Sequence, residues 1–134
     1  MAKLKSLRRD PKKVEDGVWA AFEAGIEFRV ARWGNPRFVA VYAEKMRPHQ
    51  AAAQAGVLSD DVEGRIVAET VAETVLRDWK NVTDDAGAEI PYSVERGVET
   101  LLDPDYADVY DFVLRTAKNA SLFRASELGR AAGN

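Results

Sequence analysis

His49 is the only histidine among the 134 residues, and there is no cysteine. Multi-histidine and thiolate metal sites, disulfides and a cysteine nucleophile are thereby removed. A triad built on His49 needs a serine or threonine nucleophile and a carboxylate to orient the ring. No spacing marks either, and Pro48 and Gln50 beside it point to a surface or capping histidine at a helix break. Asp84, Asp85 and Glu89 around Gly87 form a fragment of a calcium loop. An EF-hand needs more spaced oxygen donors before its glycine and a bidentate glutamate further on, so this segment reads as a solvated turn. Glu63, Glu69 and Glu73 could do acid–base work as paired carboxylates. They fall on or near the polar face of a helix, however, where charges are ordinarily solvated. Gly34-Asn35-Pro36 precedes a helix N-terminus that could face an anion, but no Walker lysine or repeated glycine accompanies it. No nucleophile, base or metal set is arranged. The expectation is a protein without catalysis, metal or cofactor.

The elements that carry these residues follow from periodicity and punctuation. Val18, Ala20 and Phe22 alternate with Trp19 and Ala21, and Ile26, Phe28 and Val30 alternate with Glu27, Arg29 and Ala31. With Ala24-Gly25 as the turn, this predicts a β-hairpin, which must pack on helices to be stable. Asn35 as cap and Pro36 as first residue open a helix bearing Phe38, Val41, Tyr42 and Met46, broken near Pro48. The Ala/Gln-rich segment from His49 to Ala55 resumes as helix until Gly56. Ser59-Asp60-Asp61 starts the next helix, in which Val62, Ile66, Val67, Val71, Val75 and Trp79 form one apolar stripe. Lys80 to Tyr92 is a loop with an Asp-x-Gly turn, leaving a tiny hairpin open. Ser93 caps a short helix holding Val94, Val98, Leu101 and Leu102. Asp103-Pro104 ends it and starts the last helix, with Tyr106, Val109, Tyr110, Val113 and Ala117 on one face and Leu122 and Phe123 anchoring its end. The fold class is α+β, mainly α: an N-terminal β-hairpin packed on a bundle of four to five helices. Residues 1–16 read as a flexible basic arm, 17–123 as a single α+β domain and 124–134 as a frayed C-terminal tail.

Hydrophobic residues make up 46% and charged residues 31%, an ordinary globular composition. No apolar run approaches the ~18 residues of a membrane helix, and no apolar region follows the basic N-terminus as a secretory signal requires. A soluble protein of the host cytoplasm, with no membrane partner, is expected. The formal net charge is −3. Residues 1–13 hold six basic residues against Asp10 alone, leaving an acidic body. A net +5 on the arm gives only weak, salt-sensitive DNA binding, and no aromatic is interleaved for base stacking, so nucleic acid is not the expected partner. Of the three tryptophans, Trp79 continues the long stripe into the core, and Trp33 staples the strand-to-helix corner. Trp19, on the face opposite Val18 and Ala20, is either an exposed anchor or packs a second layer.

The run Val75-Leu76-Arg77-Asp78-Trp79-Lys80-Asn81-Val82-Thr83-Asp84, then Gly87 and Ile90-Pro91-Tyr92-Ser93, resembles tail assembly chaperones of long-tailed, siphovirus-like bacteriophages. Those proteins are similar in a helix ending near W-K-x-V/I-x-D, a polar turn with glycine, (I/V)-P-(Y/F)-S, and a short helix. Gly17-Val18-Trp19 and Ala31-Arg32-Trp33-Gly34-Asn35-Pro36 upstream, and Leu101-Leu102, Asp111-Phe112-Val113 and Leu122-Phe123 downstream, extend the likeness. The resemblance implies a role in virion morphogenesis through protein–protein interaction. Such a protein binds the tape measure protein, keeps its long hydrophobic segments soluble, and assists assembly of the tail tube, whose protein is a second partner. No ligand or active-site residue carries over. The physical requirement is an apolar strip bounded by polar groups. Helix 36–47 and the hairpin face bearing Trp19 are the expected source, with Trp19, Phe28, Phe38 and Tyr42 as candidate partner-binding residues. An acidic body could attract a basic client. The alternative is a structural head–tail or tail completion protein retained in the virion. Self-association stays open.

Overall fold

The structure, a computed structural model, describes residue 1 and residues 3–125. Its elements run α1 (Pro11–Asp16), β1 (Val18–Ala21), β2 (Glu27–Val30), α2 (Pro36–Met46), α3 (Gln50–Gln54), α4 (Asp60–Thr74), β3 (Leu76–Lys80), α5 (Val94–Leu102) and α6 (Ala107–Lys118). Short 3₁₀ turns lie at Leu4–Leu7, Arg47–His49, Pro104–Tyr106 and Ala120–Phe123. The class is α+β, mainly α, as expected.

The hairpin forms as its alternation predicts. Val18 pairs with Val30 and Ala20 with Phe28, and Ala24 (φ 54) and Gly25 (φ 80) make the turn. The inner face holds Phe28 and Val30, 3% and 0% exposed. The sheet has a third strand, however. β3 pairs antiparallel with β2, making β2 central. The expected long helix through Trp79 therefore ends at Thr74, a correction with a physical cause. β2 carries backbone donors and acceptors on both edges, and buried ones must be paired. The segment after Thr74 meets that need. Val30 faces Leu76 while Arg29 faces Asp78, so Arg77 is an extra residue in a bulge. The bulge lets Leu76 and Trp79 both reach the core, at 0% and 8% exposure.

Capping chemistry fixes the helix starts. The side chains of Asn35, Ser59 and Ser93 accept N–H bonds from Phe38, Val62 and Arg96, and Asp103 accepts from Asp105. α4 packs against α2 on one side and α5 on the other, while α6 lies against β2. The core gathers Phe28, Val30, Val71, Val75, Leu76, Trp79, Leu101, Val113 and Ala117. Phe123 anchors the end of α6 at 0% exposure, whereas Leu122 is exposed.

The N-terminal segment differs from a free arm. Asp10 caps α1 through the N–H of Lys12, and Val14 is buried. Gly17, at φ 92, crosses so close to β2 that a Cβ there would meet the Val30 carbonyl carbon at 2.8 Å. Arg9 bridges Arg124, and the Asp10 N–H donates to the Phe123 carbonyl at 2.7 Å. Arg124 and Ala125 thus pair with the N-terminal segment. The rest of the expected frayed tail, 126–134, lies outside the described residues.

Candidate protein-binding surface

The four residues singled out as partner contacts do not share one surface. Phe28 is in the core, edge-on to Trp79 with ring centroids 6.4 Å apart, and so offers nothing to a partner. Alternation shows which residues share a sheet face but not which face the helices cover. Trp19 is on the outer face, 41% exposed, with the Lys80 ammonium 4.3 Å from its ring. Lys80 also pairs with Glu27 at 3.7 Å.

Phe38 and Tyr42 do come together, on α2. Trp33 packs on Phe38 at 4.6 Å, and Phe38 stacks on Tyr42 at 5.9 Å with planes 6° apart. The Lys118 ammonium caps this ladder, 4.9 Å from the Trp33 ring. Two tethers position the helix. Asn35, 1% exposed, accepts from Phe38 and donates to the carbonyls of Arg32 and Thr74 at 2.8 and 3.0 Å. At the other end Lys45 reaches Glu73 at 3.0 Å and Glu69 at 3.6 Å. Its pKa is raised, first by the hydrogen bond to Glu73.

The opposite side of α2 stays open. None of its residues is buried, and Val39 is 59% exposed. Pro36, Val39, Ala40 and Ala43 recur at helical spacing on the exposed face. Exposed apolar residues continue past α2 through Ala51, Ala53 and Ala55 to Val57. Burial, then Arg37 and Arg29, lower the pKa of Arg77.

A cleft elsewhere was not foreseen. A cleft of about 450 Å³ opens between the sheet, the 82–90 loop and α5, ending at Tyr106 and Val109. Ile26, Val82, Ile90 and Val109 make its apolar wall, and Glu99, Arg96 and Asp103 its polar rim. Tyr106, expected to face inward, is half exposed at this rim. The loop itself is the tiny hairpin the sequence left open, with Thr83 bridging Glu89 and the Asp84 carboxylate accepting from Ala86 and Ala88. The Trp79 indole donates to Ile90 at 2.7 Å. His49 is half-buried in its 3₁₀ turn. Among the described residues no group of three or more His, Cys, Asp or Glu could hold a metal ion, and no described helix is long and apolar enough to cross a membrane.

This is a small α+β protein whose open features are an uncovered helix and a cleft between secondary elements. The model of the YdaY prophage protein family matches residues 33–134, and the chain belongs to that family. It is a phage-derived protein. No curated protein and no solved structure matches it.

Proposed function

We propose that this prophage protein is a tail assembly chaperone acting by binding alone. The open face of α2, continued by the alanine-rich segment around α3, takes an amphipathic segment of the tape measure protein. It keeps that segment soluble while the tail tube is built. The observation that carries this reading is α2 itself. It is tethered at both ends, yet none of its residues is buried and Val39 is 59% exposed. An apolar stripe on a fixed helix is what an amphipathic partner helix packs against, and exposed apolar surface otherwise carries an aggregation cost.

The test is co-expression with the tape measure protein of the same prophage. The expected result is that the tape measure protein is soluble only with this chain and co-purifies with it. Purified phage particles, quantified by mass spectrometry, should contain little of the chain. A stoichiometric amount in mature particles contradicts the chaperone role and supports a tail completion protein instead.

A further inference from the structure

The two ends of α6 carry surfaces of opposite charge and matching chemistry. At its N-terminal end is the cleft walled by Ile26, Val82, Ile90 and Val109. Between Asp84 and Asp111 the chain carries nine carboxylates against Arg96 alone, all but Asp103 exposed, and two of them, Glu99 and Asp103, line the cleft with Arg96. None of the nine joins an ion pair among the described residues. Beyond the C-terminal end of α6 lies the basic N-terminal segment, held by the Arg9–Arg124 bridge and the Arg8 carbonyl, which accepts from Ala125 at 2.8 Å. Its 3₁₀ turn, Leu4–Leu7, places residues three apart on one side. Leu4 and Leu7 therefore project together, 83% and 49% exposed, flanked by Lys3, Lys5, Arg8 and Arg9.

We infer that the basic segment around Leu4 and Leu7 of one copy docks in the acidic-rimmed cleft of a second copy, so that the protein self-associates head to tail. The leucines fill the apolar wall while the flanking lysines and arginines meet the carboxylates of the 84–111 segment. A chain cannot satisfy its own cleft. The twelve residues of α6 span about 18 Å, whereas the four steps from anchored Arg8 to Leu4 reach at most about 14 Å when extended. Unlike surfaces at opposite ends form a heterologous contact, which chains onward unless its rotation closes a ring. A short basic segment buries little area, so the association is weak and depends on concentration. It also strengthens as salt is lowered. This contact is independent of tape measure binding at α2.

Sedimentation velocity on the full chain tests it. The wild type should shift to larger species with rising concentration and falling salt. Leu4→Asp/Leu7→Asp and Glu99→Lys/Asp105→Lys alter only exposed side chains, so both should melt like the wild type, and both should lose the shift. Mixed in equal amounts, the two variants should form a heterodimer and nothing larger, because only one intact segment and one intact cleft can meet. A wild type that stays monomeric at low salt and millimolar concentration contradicts the inference, even if its cleft captures a foreign basic peptide. So does either folded variant that associates undiminished, or a mixture that yields no heterodimer.

Discussion

Asn35 shows how much one side chain can carry. As a helix cap it needs only an oxygen, and aspartate would serve equally well. Its amide also donates to the carbonyls of Arg32 and Thr74, which ties the start of α2 to the end of α4. Asn35→Asp keeps the cap but sets a buried carboxylate against two carbonyls. The expected loss is about 2–3 kcal/mol in urea unfolding, where a capping role alone would give almost none. Tyr92 makes a comparable tie. Its hydroxyl donates toward the carbonyls of Ala72 and Leu76, at 2.6 and 3.1 Å. Burial raises its pKa above the ordinary 10.0, and that of Tyr110 in the same direction. The folded state thus favours the neutral phenol. This contribution is intact below the ordinary value and fades as pH climbs from there toward the raised one. Tyr92→Phe should cost about 1–2 kcal/mol near neutrality. It should also flatten the alkaline fall in melting temperature, with Tyr110 leaving a residual slope. The ring fits tightly against Gly97, where a Cβ would come within 3.0 Å of two ring carbons. Gly97→Ala should therefore destabilise by about 1–3 kcal/mol by overpacking, read in the same unfolding experiment.

Among the elements, β3 completes the sheet and, like α1, was hidden in the sequence. Trp79 packs edge-on against Phe28 and Tyr92 and bonds Ile90 through its indole. Trp79→Ala should cost about 3–5 kcal/mol. Trp79→Phe should cost less, giving up the indole bond but keeping most of the apolar contact. Helix starts were legible because capping is local: a side-chain oxygen meets an N–H two or three residues on. The third strand was not. Val71, Val75 and Trp79 satisfy a helical period, and the bulge at Arg77 breaks the alternation that marks a strand. The aromatic pair on α2 could be read from spacing, and Phe38 and Tyr42 do share one face. Phe28 was misplaced because both hairpin faces carry a large aromatic and the covering elements are distant in sequence. The cleft escaped for the same reason, since Ile26, Trp79, Ile90 and Val109 converge only in the folded chain.

For the whole molecule, charge is unevenly placed along the chain. Glu99 and Asp103 line the cleft beside Arg96, whereas Arg37, at the start of α2, is one of the charges that lower the Arg77 pKa. On the proposed reading, a client on α2 packs on an apolar stripe that has Arg37 near one end. The family match begins at Trp33 and so includes all of α2. Val39 is the residue to change, because it is the most exposed large apolar side chain of that helix and contributes little to the core. The most direct measurement is the affinity of a soluble tape measure fragment for wild type and for Val39→Asp, by titration calorimetry on equally stable proteins. A loss of at least about tenfold, the scale of 1.4 kcal/mol, is expected for the variant. Equal affinity for the two chains would contradict binding at α2.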